Sequence, residues 1–215
     1  MADLSVNIAG VTLQNPLIGA SGTVGFGREY AALYPLSTLG GISCKGLTLK
    51  ERPGNPPPRI AETPGGMLNS VGLQNPGVEA FLKEELPWLS AQGTVVIANI
   101  AGSCEADYCA MAERLNDTAV DMIELNISCP NVKEGGVQFG TSCESVGAIT
   151  KAVRAHCRKP LIVKLSPNVS DIAEIAAAAE SAGADAVSLI NTLTGMRIDI
   201  RTRRPILHNN TGGLS

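Results

Sequence analysis

Residues 161–192, LIVKLSPNVSDIAEIAAAAESAGADAVSLINT, contain one complete unit of the pattern that decides the fold. The unit opens with a short apolar run, continues with Ile172, Ile175 and Ala179 at helical spacing, and closes with a second apolar run. Gly183 stands where a helix of this length would take its C-terminal cap. A strand, a helix and a second strand in this order predict a parallel βαβ unit.

Similar apolar runs recur along the rest of the chain, each bounded by Gly, Pro or polar residues. Six of them are predicted strands: residues 15–21, 40–46, 94–100, 122–128, 161–167 and 186–192. Most are continuously apolar, which is typical of strands that are covered on both faces. Helical patterns separate the later runs. Asn75-Pro76 predicts the start of one helix, and a capping pair of Thr141 and Glu144 predicts the start of another.

The ends of the six predicted strands favour a barrel over an open sheet. Every strand ends on a polar side chain, and these are Ser21, Lys45, Asn99, Asn126, Lys164 and Asn191. A doubly wound sheet concentrates function at one switch point, whereas a (β/α)8 barrel delivers every strand end to one shared mouth. The nucleotide-binding motifs GxGxxG after the first strand and GxxxxGK[ST] are absent. The pattern therefore predicts an α/β fold of the (β/α)8 TIM-barrel type.

The predicted barrel is incomplete in this sequence. Such a barrel has eight strands and about 250 residues, whereas the 215 residues here show about six. The pattern stops in residues 210–215, which we interpret as a loop before a further helix. We therefore expect residues 1–215 to form a single (β/α) barrel domain that lacks its C-terminal part.

Two segments are too long to be simple connections between strands and helices. They are residues 48–77, rich in Gly and Pro, and residues 194–215. Loops longer than about 12–15 residues usually serve as lids or binding loops. Because both segments follow predicted strands, we expect them to cover the mouth of the barrel.

Composition narrows the class of protein. Hydrophobic residues make up 44% of the chain, which is enough for a substantial core. A net charge of −3 argues against a nucleic-acid-binding surface, and no apolar run reaches the length of a membrane helix. The N-terminus lacks the features of a signal peptide. Six cysteines without a CxxC pair and only two histidines argue against a zinc site. A disulfide scaffold is not expected either, because a chain of this composition can build a core without such cross-links. We expect a reduced, cytoplasmic protein.

Cys129 is the strongest candidate for a catalytic side chain. It lies in NISCPN (126–131), just beyond a predicted strand end and between two carboxamides. A thiol has a reference pKa of about 8.5, so it can act as a base or a nucleophile when its surroundings favour the thiolate. We interpret the other five cysteines as small buried hydrophobic residues.

Lysines and carboxamides at the predicted mouth indicate the kind of ligand. Lys45 and Lys164 favour an anionic or electron-rich ligand such as a flavin, whose reduced ring is stabilised by positive charge. A competing interpretation is that Lys164 forms a Schiff base with a carbonyl substrate. The alternative without a function is that each lysine only extends its ammonium group to solvent. Amides from Asn69, Asn126, Asn131 and Asn191 suit a small ring with alternating C=O and N–H groups.

Several stretches resemble class 1 dihydroorotate dehydrogenases over the whole chain. They are ASGTVGFGREY (20–30), SCKG (43–46), RPGNPPPRIAETPGGMLNSVGLQNPG (52–77), NISCPN (126–131), VKLSPN (163–168) and INT (190–192). The forms GTVGFGREY and NSVGLQNPG resemble class 1B, the NAD-dependent type. The resemblance implies an FMN-containing barrel that oxidises (S)-dihydroorotate to orotate in pyrimidine (UMP) biosynthesis.

The resemblance also implies a role for individual residues. Cys129 would be the base that removes the C5 proton while hydride passes from C6 to FMN. The implied substrate-binding residues are Lys45, Asn69, Ser70, Val71, Gly72, Leu73, Asn126, Asn191 and Thr192. The implied FMN-binding residues are Ser21, Lys45, Gly46, Asn99, Asn126, Lys164 and Ile190.

The implied assembly is a homodimer joined by a second subunit that carries FAD and a [2Fe-2S] cluster and passes electrons to NAD+. Two alternatives remain open at this point: a non-catalytic barrel fragment, and the fumarate-dependent class 1A enzyme.

Overall fold

Six parallel strands form the main sheet of this computed structural model, which describes residues 2–127 and 139–215. The strands of the described chain are β1 (Val6–Ile8), β2 (Val11–Leu13), β3 (Ile18–Gly19), β4 (Gly41–Ser43), β5 (Ile60–Thr63), β6 (Gly66–Asn69), β7 (Val95–Ile100), β8 (Met122–Asn126), β9 (Leu161–Lys164), β10 (Ala186–Ser188), β11 (Leu193–Met196), β12 (Ile198–Asp199), β13 (Arg204–Pro205) and β14 (Thr211–Leu214). The main sheet has the order β3-β4-β7-β8-β9-β10, and each member lies in one of the six predicted runs.

The order of these strands distinguishes a barrel from an open sheet. Each of the six strands of the main sheet pairs with the member of that sheet that follows it in the sequence. The order does not reverse within the described residues. A doubly wound sheet would reverse its order at the switch point, whereas a (β/α)8 barrel adds its strands in sequence. The predicted barrel arrangement is therefore confirmed for these six strands.

Helices cover the outer face of the sheet. They are α1 (Ser21–Val24), α2 (Arg28–Ala31), α3 (Val78–Ala80), α4 (Leu86–Ser90), α5 (Glu105–Asn116), α6 (Cys143–His156) and α7 (Ile172–Ser181). A π-helical turn, Phe81–Glu85, joins α3 to α4, and a 3-10 turn spans Leu36–Thr38. The apolar face of α5 is buried and includes Tyr108, Met111 and Leu115. No helix in the described part of the chain is long and apolar enough to cross a bilayer.

Two predicted helix starts are wrong in detail. The cap of α6 is Ser142, whose hydroxyl accepts from Ser145 N at 3.2 Å, and not the predicted pair of Thr141 and Glu144. Because the capping pattern can be shifted by one residue, the sequence did not distinguish the two registers. Asn75 does not cap a helix either. Its Oδ1 accepts from Thr48 N and Gly77 N, and it thereby ties the two ends of the 48–77 segment together.

Alternation along the strands separates an outer core from an inner layer. On β8, Ile123 and Leu125 belong to the large apolar cluster that also contains residues of the helices. Met122 instead joins Ile97 and Ile162 in a smaller cluster, packed against the β1–β2 hairpin at the amino-terminal end of the sheet. The next inward positions towards the carboxyl ends are polar, so the inside of the sheet changes from apolar to polar along its length.

The two long segments are not structureless loops. Residues 48–77 supply β5 and β6, residues 194–215 supply β11 and β14, and together they form one antiparallel sheet in the order β11-β14-β6-β5. The interpretation of residues 210–215 as a loop before a helix is wrong, because Thr211–Leu214 is a strand. Leu68 and Leu207 are buried in a small core of this second sheet.

The cysteines divide by exposure. Cys44 and Cys157 are buried, as expected for small hydrophobic side chains, and Cys109 is partly buried. Burial, with Glu85 and Glu124, raises the pKa of Cys44 to about 12, so this thiol stays protonated. Cys104 and Cys143 are exposed, which contradicts the expectation for those two. Both lie at the start of a helix, where the polar end faces solvent.

Candidate active site

Polar side chains meet on the inner face near the carboxyl ends of the parallel strands. Asn99 on β7 lies opposite Glu124 on β8, and Asn126 lies opposite Lys164 on β9. Asn99 is fully buried and Asn126 is 8% exposed, whereas Lys164 is half-buried. Of the six predicted strand-end side chains, Asn99, Asn126 and Lys164 therefore lie on neighbouring strands at this end of the sheet.

Three of the predicted carboxamides form a continuous row of hydrogen bonds. Asn126 Nδ2 donates to Asn99 Oδ1 at 3.4 Å, and Asn191 Nδ2 donates to Asn126 Oδ1 at 3.0 Å. The row ends at Thr192, whose backbone N–H donates to Asn191 Oδ1 at 2.8 Å. The Tyr108 hydroxyl donates to Asn126 O at 2.9 Å and fixes the backbone at the middle of the row. We call Asn99, Asn126 and Asn191 the carboxamide row.

A buried carboxylate that our sequence analysis did not select lies at the inner end of this row. Glu124 is 5% exposed, and its Oε2 accepts from Asn99 Nδ2 at 2.5 Å and from Ser43 Oγ at 2.7 Å. Its Oε1 accepts from Ser188 Oγ at 2.8 Å. The available signal was an acidic residue inside an apolar run, two positions before Asn126 and therefore on the same face of the strand.

Lys45 and Gly46 follow β4, and Gly46 lies against Asn99 in the row. The backbone N–H of Lys45 donates to Gly25 O at 2.9 Å. Burial lowers the pKa of the Lys45 ammonium, and the nearby charge of Arg59 lowers it further. At Gly46 a Cβ atom would come within 2.9 Å of Asn99 Oδ1 and 3.2 Å of Leu73 Cδ2. A side chain at position 46 would therefore displace either Asn99 in the row or Leu73.

The antiparallel sheet β11-β14-β6-β5, which we call the covering sheet, brings the predicted substrate-binding segment to the same mouth. Asn69 ends β6, pairs with Gly213 on β14, and donates from Nδ2 to Gly213 O at 3.4 Å. A Cβ at Gly213 would collide with the Thr192 side chain, so Thr192 lies directly against this pair. Residues 70–73 follow β6 and are partly buried. The Ser70 hydroxyl is buried without a hydrogen-bond partner among the described residues, so it remains available to a ligand.

Arg59 is a second residue that sequence reasoning missed. Its guanidinium donates to Gln74 Oε1 at 2.6 Å and to Asn55 O at 3.3 Å, and its backbone oxygen accepts from Ser70 N at 2.8 Å. Arg59 therefore connects Asn55, Ser70 and Gln74 within residues 48–77. It also adds positive charge near Lys45. The run of prolines before Arg59 concealed it, because that stretch reads only as a loop.

Other predicted residues are not part of the row. Ser21 is buried at the start of α1, and Ile190 follows β10 with 46% of its surface exposed. Cys129 and Asn131 lie outside the described residues. In residues 2–127 and 139–215, no group of three or more His, Cys, Asp and Glu side chains could hold a metal ion.

Comparison with known proteins identifies the family. The family model for dihydroorotate dehydrogenase matches residues 3–215. The chain belongs to the dihydroorotate dehydrogenase family. The family inferred from the sequence motifs is therefore confirmed, and with it the oxidoreductase class.

Curated relatives of the dihydroorotate dehydrogenase family refine this assignment. The catalytic subunit of dihydroorotate dehydrogenase B (NAD(+)) from Petrotoga mobilis is 56% identical over 215 residues, which are 100% of this chain and 72% of that protein. The corresponding subunit from Alkaliphilus oremlandii is 59% identical over 213 residues, which are 99% of this chain and 70% of that protein. These similarities favour the NAD-dependent type over the fumarate-dependent one and over a Schiff-base enzyme.

A solved dihydroorotate dehydrogenase supports the fold. The ligand-free enzyme from Eimeria tenella superposes with a TM-score of 0.72 at 24% identity, over 99% of this chain and 67% of that one. At this identity the likeness concerns the fold alone. Together with the strand order, it confirms the predicted incomplete (β/α)8 barrel, of which the described residues form six strands.

The residues at the mouth fit the flavin that the dihydroorotate dehydrogenase family implies. Amide N–H groups of the row and the ammonium group of Lys45 are donors that suit carbonyl oxygens of a flavin ring. Gly46 keeps the backbone beside the row free of a side chain.

Proposed function

We propose that this chain oxidises (S)-dihydroorotate to orotate in de novo pyrimidine (UMP) biosynthesis, with FMN as its cofactor. The observation that carries the proposal is the carboxamide row, which lies against Gly46 at one end and, through Thr192, against the strand pair that contains Asn69 at the other. Amides that present donors and acceptors in one row complement a ring whose edge alternates C=O and N–H groups. Similarity to catalytic subunits of the NAD-dependent enzyme supports the same substrate.

The proposed FMN site uses the inner side of the mouth. Ser21, Lys45, Gly46, Asn99, Asn126, Lys164 and Ile190 would hold the flavin. FMN, when bound, supplies the acceptor for the substrate hydride. Lys45 and Lys164 would place positive charge beside the ring. Buried Asn99 would present its amide from a position that solvent does not reach.

The proposed substrate site uses the outer side of the mouth. Residues 69–73, with Asn126, Asn191 and Thr192, would hold the ring, and Lys45 would contact both substrate and flavin. Asn191 and Thr192 come from the segment after β10, whereas Asn69 comes from β6 in the covering sheet. Binding would therefore require both parts of the structure, and the covering sheet would exclude water from the reacting carbons.

Cys129 is the proposed base. It would take the proton from C5 of dihydroorotate while the hydride leaves C6. Its position three residues after the end of β8 supports this role, because Asn126 at that strand end is held by both the row and Tyr108.

The proposed assembly and location follow the type B relatives. We infer a homodimer of catalytic subunits that joins an electron-transfer subunit with FAD and a [2Fe-2S] cluster, which reduces NAD+. Residues 1–215 would form one FMN-binding barrel domain within it. A cytoplasmic location is supported by five free cysteines among the described residues.

An anaerobic mixing experiment tests the reaction. The FMN-loaded protein is mixed with (S)-dihydroorotate, and flavin absorption and orotate formation are followed together. Loss of the oxidised flavin absorption with one orotate formed per flavin is expected. Protein that binds FMN but leaves dihydroorotate unchanged would reject the proposed substrate. Protein that binds no FMN would support a non-catalytic fragment.

A further inference from the structure

Glu124 is a side chain at the base of the mouth whose function neither the motifs nor the proposed reaction explains. It accepts hydrogen bonds from three different strands: Ser43 on β4, Asn99 on β7 and Ser188 on β10. A buried carboxylate is expensive to desolvate, and replacing a buried ionic network as a whole with apolar side chains is often neutral for stability. Strand association alone therefore gives a weak reason to keep an acid here.

The geometry gives Glu124 control over the direction of the neighbouring amide. An ionised carboxylate only accepts hydrogen bonds, so Asn99 must turn its Nδ2 towards Glu124 and its Oδ1 away. A carboxamide is nearly symmetric in shape, and a half-turn exchanges its donor for its acceptor. The contact between Glu124 and Asn99 removes that freedom, because the reversed amide would place two oxygens against each other.

The direction then passes along the carboxamide row. Since Asn99 Oδ1 points away from Glu124, Asn126 meets it with Nδ2, and Asn126 Oδ1 is left to accept from Asn191 Nδ2. Asn191 Oδ1 in turn accepts from Thr192 N, which can only donate. The carboxylate of Glu124 at one end and the backbone N–H of Thr192 at the other therefore favour the same orientation of all three amides.

We infer that Glu124 is a positioning residue that sets the donor and acceptor direction of Asn99, Asn126 and Asn191 towards the ligands. The inference rests on the proposed function, since it concerns the residues proposed to hold FMN and orotate. Glu124 itself touches neither ligand. Its effect on binding passes through Asn99, and a Glu124 variant therefore changes orotate binding most when the far end of the row is intact.

The variants separate direction from simple burial. Glu124→Met removes both acceptors at similar length, and Glu124→Gln keeps one acceptor for Asn99 while its Nε2 can donate to Ser188. Thr150→Val is the matched control, because Thr150 is a fully buried hydroxyl in α6 without a hydrogen-bond partner in the described chain. Orotate affinity is measured by calorimetry on the FMN-loaded full-length protein, without turnover.

Expected affinities follow from the cost of an unpaired buried donor. Glu124→Met weakens orotate binding by about 10- to 100-fold, because Asn99 loses its only carboxylate acceptor and the row reverses or disorders. Glu124→Gln weakens it by about three- to tenfold, since a neutral acceptor gives a weaker bond. Thr150→Val stays within about twofold. If Glu124→Met fails to fold, Glu124→Gln carries the test, and affinity within twofold of the native protein in that variant would overturn the inference.

A double-mutant cycle with Asn191→Ala distinguishes positioning from general destabilisation. Side chains that do not touch normally have independent effects, and the row links Glu124 to Asn191 only through two other amides. The inference requires that Glu124→Gln weakens orotate binding much less in the Asn191→Ala background than in the native one. Fold-changes that simply multiply would overturn it.

A second readout keeps this inference separate from the proposed reaction. Side-chain amide signals of Asn126 and Asn191 are recorded by NMR in protein labelled with 15N at asparagine, without orotate. Glu124→Gln shifts both signals and Thr150→Val shifts neither. If the native protein binds no orotate, the proposed function fails, and these signals still decide the inference: unchanged Asn191 signals in Glu124→Gln would reject it.

Discussion

Lys45 is half-buried, and two features of the site lower the pKa of its ammonium group. Burial is the larger cause of its lowered pKa, and Arg59 is the second. The proton is therefore lost at a lower pH than in an ordinary lysine. Since the ammonium form is the one that attracts an anionic substrate, we expect orotate affinity to fall at alkaline pH as Lys45 becomes neutral.

Arg59→Gln is expected to move this alkaline limb to higher pH, because removing a like charge raises the pKa of Lys45. The measurement is the pH profile of orotate affinity in the FMN-loaded protein. Arg59→Lys is the control, since it keeps the positive charge and should leave the limb in place. A limb that stays at the same pH in both variants would assign the titration to another group.

Cys129 provides a second prediction at the scale of a single residue. Cys129→Ser is expected to slow flavin reduction by dihydroorotate by about 100-fold or more near neutral pH, because a hydroxyl is a far weaker acid than a thiol of pKa about 8.5. Stopped-flow absorption measures the rate. Cys143→Ser is the control, since Cys143 is exposed at the start of α6. Equal rates in Cys129→Ser and the native protein would exclude the thiol as base.

At the scale of elements, predictability depended on where the hydrogen-bond partners lie in the chain. The six parallel strands were predictable because strands covered on both faces read as short continuous apolar runs. The covering sheet was not, because β6 and β14 pair residues as distant as Asn69 and Gly213. No local pattern marks such a pairing in a segment rich in Gly and Pro. Glu124 was missed for the same reason, since its partners come from three other strands.

The covering sheet yields a prediction about substrate binding. Gly213→Ala would drive a Cβ into the Thr192 side chain and push β14 away from the mouth. We expect the KM for dihydroorotate to rise by about tenfold, with a smaller change in FMN affinity. Gly65→Ala is the matched control in the same sheet, because a Cβ at Gly65, between β5 and β6, meets no atom within 4 Å. An unchanged KM in Gly213→Ala would separate this sheet from the substrate.

Helix α6 offers a prediction about stability alone. Gly147 lies within Cys143–His156, and a Cβ added there meets no atom within 4 Å. Gly147→Ala should therefore raise the free energy of unfolding by about 0.5–1 kcal/mol, the usual difference between the two residues inside a helix. Chemical denaturation followed by circular dichroism measures the change. FMN affinity should not change, and a destabilised variant would show that α6 packs more tightly than the structure describes.

At the scale of the whole molecule, the proposed assembly leaves the reduction of NAD+ to a separate electron-transfer subunit. In that proposal, the carboxamide row and the residues around it serve only the oxidation of dihydroorotate by FMN. We therefore expect the FMN-loaded chain to reduce an artificial dye with dihydroorotate but not NAD+. Adding the electron-transfer subunit of a type B relative should restore NAD+ reduction. The absorbance of NADH measures NAD+ reduction. Fumarate is the control acceptor that distinguishes the two enzyme types. Reduction of fumarate by the chain alone would favour the class 1A alternative, because that activity needs no second subunit.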